Sequence, residues 1–294
     1  MNASQVLPRF MIFLLLLAGG TILASCGALT ENESSSPSLK MHVLNVGQGL
    51  SILFEHEGHF ALFDAGPDSI GLADTLYARG VKTLDWVLVS HWHRDHAGGL
   101  LDLSAGENPR PEIGAILYGC DTAGVWLRDS ILSLAKKWGA SVRLVERSET
   151  WDFGENWHFR ILWPPSYGRW GENNASTVLQ VDDGVFSALF PADLEKEGEE
   201  KLLSLSPTLH ADFLQVGHHG SSQSSTLPFL AQIAPTNAVI SVGKENTYGH
   251  PTYSTLRKLT LILGDSTRIS RTDTQGSIFW EWAFQIGIWN RGVF

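Results

Sequence analysis

Cysteine is almost absent from this sequence. Of 294 residues only Cys26 and Cys120 carry a thiol, which excludes a disulfide-stapled scaffold and leaves stability to a buried core. Positive charge is also scarce, with 21 Lys and Arg against 31 Asp and Glu and a net charge of −10. Such a chain does not gather polyanions nonspecifically, so a broad basic surface for nucleic acid is excluded and any such contact must be local. No repeat of fixed period occurs, which excludes a solenoid. There is no Ser/His/Asp order and no glycine loop able to cradle phosphate, because Gly47-Gln48-Gly49 is too short for that role and reads as a hairpin turn.

A composition that is 43% hydrophobic with 11 Trp over this length supports one large domain with a sizeable core. Residues 1–26 read as a signal peptide: Arg9 is a thin positive region, 10–17 are apolar, and Leu23-Ala24-Ser25-Cys26 ends the segment with small residues before a cysteine. The apolar core is too short for an uncleaved spanning anchor. Residues 27–39 are small and polar and read as a flexible tether, leaving 40–294 as the folded domain. Removing 1–25 removes one charged residue, Arg9, and leaves 20 basic against 31 acidic side chains, a formal charge of −11.

From residue 40 strand-like and helix-like stretches alternate. An opening antiparallel meander is expected over 41–46, 50–55 and 60–63, then a helix over 70–79 ending at Gly80. Further strands are expected at 86–90, 115–118, 142–145, 157–163, 185–189 and 213–216, and helices at 125–138, 194–203 and 252–261. Strands with helices on both flanks predict an α/β fold built as a four-layer αββα sandwich.

The chemistry concentrates after the buried strand Trp86-Val87-Leu88-Val89-Ser90. His91, His93, Asp95 and His96 are four ligand-type side chains in six residues. His91 and His93 can converge on one cation while Asp95 and His96 face a second, and imidazole with carboxylate suits zinc, iron or manganese. A carboxylate at the next strand end, Asp193, reads either as a metal ligand or as the N-cap of the acidic helix that follows. His218 and His219 end another strand; neighbours on a strand face opposite ways, so one ligates and the other serves substrate, with the choice open. Lys244, Tyr248 and His250 form a set that either binds a phosphate and protonates a leaving group or simply precedes a helix. Asp64 reads either as a turn residue or as a support for a ligand imidazole.

The HxHxDH run resembles the signature of the metallo-β-lactamase superfamily. With Leu44-Asn45-Val46-Gly47-Gln48-Gly49, Leu62-Phe63-Asp64-Ala65-Gly66, Asn173-Asn174-Ala175-Ser176, Val216-Gly217-His218-His219-Gly220-Ser221, Tyr248-Gly249-His250-Pro251 and Arg271-Thr272-Asp273, the chain is similar to the extracellular hydrolase domain of ComEC-type competence proteins over about 41–280. The resemblance implies two divalent metal ions, zinc or manganese. One is held by His91, His93 and Asp193, the other by Asp95, His96, Asp193 and one of His218 and His219. Asp95 and Asp64 would organise the centre, and Asn174 would stand where many relatives have a further histidine. The motif around Asp193 departs from Thr-Gly-Asp, having Pro191-Ala192 before the carboxylate. His158 lies too early to be that ligand and is expected at the surface or packed. Cys26 resembles the lipidated cysteine of a bacterial lipobox, so the protein is expected to be exported and membrane-anchored through lipid.

The function this implies is a metal-dependent phosphodiesterase or nuclease acting on DNA, with a separate DNA-uptake channel as a candidate partner. Two alternatives stay open. One is a phosphorylcholine esterase of cell-surface polymers, with tryptophans caging the quaternary ammonium. The other is a non-catalytic lipoprotein that binds DNA during uptake.

Overall fold

Apolar strands must be covered on both faces, and this chain covers them by stacking two sheets and flanking each with helices. The computed structural model describes residues 38–103, 108–120, 124–165, 170–283 and 288–293. The export segment, most of the tether and Cys26 lie outside them. In chain order the strands are β1 (Ser38–Val43), β2 (Ile52–His56), β3 (His59–Phe63), β4 (Thr83–Val89), β5 (Glu112–Tyr118), β6 (Ser141–Leu144), β7 (Thr150–Phe153), β8 (Trp157–Trp163), β9 (Val178–Asp182), β10 (Ser187–Phe190), β11 (Phe213–Gln215), β12 (Asn237–Ile240), β13 (Ile269–Arg271), β14 (Ile278–Ala283) and β15 (Ile288–Val293). The helices are α1 (Leu72–Ala78), α2 (Arg94–Ala97), α3 (Gly99–Asp102), α4 (Val125–Trp138), α5 (Lys196–Leu205), α6 (Leu227–Ile233), α7 (Tyr253–Leu263) and α8 (Thr272–Gln275).

One sheet runs β15-β14-β1-β2-β3-β4-β5-β6 and the other β13-β12-β11-β10-β9-β8-β7. Each has an antiparallel half and a parallel half. The parallel pairs are β3 to β6 in the first sheet and β10 to β13 in the second. Parallel neighbours need crossovers, and helices α1 to α7 sit in them, while α8 follows the last parallel strand, β13. The loops leaving the carboxyl ends of these strands are where open α/β sheets place ligands.

Three apolar clusters define the layers. Between the sheets Phe54 meets Phe159 and Phe190 edge-on, with ring centroids at 5.3 and 5.4 Å, and all three are fully buried. A second cluster packs α1 and α4 on the first sheet through Leu72, Leu76, Leu127 and Ile131. A third packs α5, α6 and α7 on the other through Leu202, Phe229, Leu230 and Leu259. This is the four-layer sandwich. Gly139, at φ +77°, stops α4 where a left-handed residue is required.

Some element ends differ from the sequence reading. Strand β1 takes in Ser38, whose Oγ donates to Glu281 Oε1 at 2.7 Å, and ends at Val43, where the sequence reading expects 41–46. Val185 is 78% exposed and lies in a turn, since Asp183 Oδ1 accepts from the amides of Val185 and Phe186 at 2.9 and 2.7 Å. The strand there starts at Ser187. The acidic helix starts at Lys196, not at 194.

Candidate metal centre

Five strand-to-loop junctions converge on one point: those after β3, β4, β10, β11 and β12. They deliver Asp64, the His91 to His96 run, Asp193, the His218-His219 pair and Ser241. Asp95, His96, Asp193 and His219 bring donor atoms within 4.8 Å of one another, forming one candidate cation site. His96 Nε2 lies 3.1 Å from Asp193 Oδ1, and His219 Nε2 lies 3.3 Å from Asp95 Oδ2. His91 and His93 stand alongside, with the His91 ring centroid 4.3 Å from that of His96 and 4.5 Å from that of His93.

The backs of three imidazoles are tied to the protein. His96 Nδ1 donates to Asp64 Oδ2 at 2.7 Å. Ser90 Oγ donates to the same oxygen at 2.6 Å, so it accepts from His91 Nδ1 at 3.0 Å. His219 Nδ1 donates to the Ser241 carbonyl at 2.9 Å. Each bond turns the ring so that Nε2 faces the centre, the usual service of an outer partner to a ligand imidazole. The Nε2 atoms of His91, His96 and His219 and Oδ1 of Asp193 are buried yet have no hydrogen-bond partner. Buried polar atoms without partners are rare, and four of them aimed at one point with nitrogen and oxygen donors fit a divalent cation.

Electrostatics agree with this donor set. Burial opposes charge on every member. Even so, the carboxylates of Asp193, Asp64 and Asp95 hold the His96 imidazole well above its ordinary value. Burial opposed by Asp193 and the Asp95 contact leaves His219 raised as well. Asp193 is held well below the carboxylate range against burial by His96 and His219, and Asp95 is lowered against burial by the same two rings. His91, buried beside His96, is pushed well down. Ligation therefore requires protons to leave His96 and His219.

Of the histidine pair, His219 is the buried member of the donor set, whereas His218 is partly exposed and lines the cleft above it. Both sit in the left-handed region, at φ +49° and +52°. That conformation costs a non-glycine residue about 1–2 kcal/mol, and it aims two successive rings at one space, which an extended strand would not do. Ala192, before Asp193, is also left-handed at φ +50°, which explains why glycine suits this position. Here Gln215 Oε1 accepts from the Ala192 amide at 2.8 Å and the His218 amide donates to the Ala192 carbonyl at 2.9 Å.

The N-cap reading of Asp193 is corrected. Asn174 Oδ1 accepts from the amides of Glu195 and Gly198, both at 3.1 Å, so Asn174 caps α5 and leaves the Asp193 carboxylate to the centre. Asn174 itself does not reach the cleft; its neighbour Asn173 lines it. Two further participants escaped the sequence reading. Glu195 Oε1 accepts from Asn173 Nδ2 at 2.9 Å and lies 3.3 Å from His218 Nδ1, which sets a carboxylate beside the His218 ring. Ser176 Oγ accepts from the Asp193 amide at 3.3 Å and touches His91 Nδ1 at 3.3 Å. Ser176 lies in the Asn173-Asn174-Ala175-Ser176 motif with no role assigned to it, and no spacing marks Glu195, since glutamate is common in loops.

The cleft has a volume of about 190 Å³ and is walled by His93, Asp95, His218, Tyr248 and His250 among others. His250 stacks against Tyr248 with centroids 5.7 Å apart, and lies 5.7 Å from His218. Burial, with His218 and His219 nearby, holds the His250 imidazole below its ordinary value, which favours the neutral ring. Lys244 is exposed on the same loop and does not line the cleft. His158 is at the surface, 2.8 Å from Asp152. Among the described residues no tryptophan lines the cleft; Trp92, Trp157 and Trp163 are buried in the apolar layers.

Two stacked sheets with a His and Asp centre at the ends of their parallel strands define a metal-binding αββα sandwich. The chain belongs to the metallo-β-lactamase superfamily, whose model matches residues 44–244. It is 30% identical over 271 residues to ComE operon protein 3 of Bacillus subtilis, covering 84% of this chain and 34% of that protein. It is also 30% identical over 282 residues to competence protein ComA of Neisseria gonorrhoeae, covering 95% of this chain and 36% of that protein. The chain thus spans about a third of the length of these relatives. In fold it is similar to the metallo-β-lactamase fold protein YhfI from Bacillus subtilis, with a TM-score of 0.55, 12% identity, and coverage of 84% of this chain and 100% of that one.

Proposed function

We propose that the protein is a metal-dependent phosphodiesterase that cleaves DNA outside the cytoplasm. The observation that carries this reading is the cleft itself: three imidazole Nε2 atoms and a carboxylate oxygen, buried and unpartnered, lie beneath a wall formed by His218 and His250. Asp95, His96, Asp193 and His219 would hold one divalent ion, manganese or zinc, and His91 and His93 with Asp193 a second. Such ions supply Lewis acidity to a phosphoryl oxygen and bring the pKa of water towards neutral.

The chain's own side chains do the rest. His218, with the Glu195 carboxylate beside its ring, lines the cleft, where it can donate to a phosphate oxygen. His250, favoured as the neutral ring, offers a hydrogen bond to the leaving oxygen without adding charge. No side-chain nucleophile is needed. The net charge of −10 limits polyanion binding to local contacts. The competence proteins among the relatives support DNA as substrate. On this reading Cys26 carries lipid, the domain is tethered outside the membrane, and a separate uptake channel is a candidate partner. No helix among the described residues is long and apolar enough to cross a membrane.

The test loads the protein with manganese or zinc and compares bis(p-nitrophenyl) phosphate, single-stranded DNA and p-nitrophenyl phosphorylcholine, with a His91→Ala, Asp95→Ala control. DNA cleavage that the control loses is the expected result. Cleavage of the choline ester alone would move the protein to the cell-surface esterases. Stoichiometric metal with no hydrolysis would leave a binding protein. Incorporation of labelled fatty acid that Cys26→Ser abolishes checks the anchor.

A further inference from the structure

Helix α7 is bolted to the histidine loop. The Thr252 amide donates to the Gly220 carbonyl at 3.0 Å, Thr255 Oγ1 to the Ser221 carbonyl at 2.8 Å, and Lys258 Nζ to the Ser224 carbonyl at 2.9 Å. Whatever α7 presents to solvent is therefore fixed in place relative to the metal centre.

It presents a stripe at helical spacing, Tyr253, Arg257 and Leu261. Tyr253 is 77% and Leu261 71% exposed, and with Leu227 of α6 they bound a groove of about 420 Å³. Arg257 lies over the Tyr253 ring at 6.0 Å, and among the described residues it has no carboxylate within 4 Å. Five residues before Tyr253, Tyr248 stands 68% exposed at the rim of the cleft. Two exposed tyrosines flank the entry to α7, each with one face taken, Tyr253 by Arg257 and Tyr248 by His250, and the other free; the Arg257 guanidinium has no carboxylate among the described residues, in a chain that is otherwise acidic. A ligand that alternates flat apolar units with anionic ones matches that order.

We propose that the groove between α6 and α7 is a track for single-stranded nucleic acid leading to the metal centre, with bases stacked on Tyr253 and Tyr248 and a phosphate on Arg257. The direction of the track rests on the phosphodiesterase reading. Duplex is a poor fit, because its bases already stack on one another and cannot cover a tyrosine face.

The test measures anisotropy of a labelled 12-nucleotide oligothymidylate on the full 294-residue chain in detergent, with EDTA present so that binding is read without cleavage. Tyr253→Ala is expected to raise Kd about tenfold, whereas Tyr253→Phe, which keeps the stacking face, restores it. Arg257→Ala is expected to lower the slope of log Kd against log salt by about 0.7. Equal affinity for duplex, no binding by the parent, or unchanged Kd in both alanine variants would overturn the track. Hydrolysis of bis(p-nitrophenyl) phosphate by the manganese-loaded parent, run in parallel, reports on the centre alone. Its failure removes the phosphodiesterase reading and leaves the binding data to decide the track.

Discussion

Asp64 is fully buried, and it serves the centre without lining the cleft. Its Oδ2 accepts from His96 Nδ1 at 2.7 Å and from Ser90 Oγ at 2.6 Å, and its Oδ1 accepts from the Ser90 amide at 2.7 Å. Asp64→Asn keeps the volume but replaces one acceptor oxygen with an NH2 donor. If the carboxamide oxygen stays on the Ser90 amide, the NH2 confronts His96 Nδ1. The ring must then accept there and carry its proton on Nε2, the atom that faces Asp193. The lost bond to a charged acceptor is worth about 1.5–3 kcal/mol, which corresponds to roughly 10- to 150-fold in metal affinity. That overlaps the roughly 10- to 100-fold typical of outer partners of ligand imidazoles. Competition with a chromophoric chelator at fixed pH measures it, with His158→Ala at the surface as the control. An affinity within about twofold of the parent, in a folded variant, would show that Asp64 does not set the His96 tautomer.

Metal binding is expected to release protons and to weaken as pH falls, because His96 and His219 are held above the ordinary imidazole value of 6.5; calorimetry in buffers of different ionisation enthalpy counts the protons. The sign for stability is opposite in the two forms. Raised imidazoles stabilise the metal-free protein fully below 6.5, and that stabilisation is lost as pH rises through their raised values, whereas the loaded protein gains over the same range, as melts with EDTA or zinc will show. His219→Ala is expected to lose bound metal, and His218→Ala to keep metal but lose kcat on phosphodiesters; elemental analysis beside kinetics separates them. Gly49→Ala would place a Cβ 2.4 Å from the Asp95 carbonyl, at φ +153°, so the backbone holding Asp95 must shift and metal affinity fall by about tenfold or more. Phe190→Ala, emptying the space between the sheets, should cost about 3–5 kcal/mol in a urea titration with little effect on metal stoichiometry in the folded fraction.

Much of the centre could be read from the chain because part of its chemistry is local. Four ligand-type residues in six after an apolar strand mark a metal loop whatever lies around them, and the buried run before them requires a sheet with both faces covered. Alternation of such strands with amphipathic helices was enough for the four layers. Short segments were harder: β7, β9, β12 and α6 are four to seven residues long, too short for their periodicity to stand out. Pairing with neighbouring strands, and packing of Phe229 and Leu230 beneath α6, decide them.

What only the tertiary structure decided are the choices between neighbours. His218 and His219 are chemically the same residue; the Ser241 carbonyl behind one ring and Glu195 beside the other give them different tasks. Asp193 had two plausible roles until Asn174, from another loop, supplied the cap for α5. Lys244 is near His250 in sequence but outside the cleft, while Tyr248, one turn of loop later, lines it. Residue type and spacing carry the chemistry a side chain can do. The direction a ring or carboxylate faces is set by its hydrogen-bond partners, and for His96 and His219 these come from loops 32 and 22 residues away in the chain.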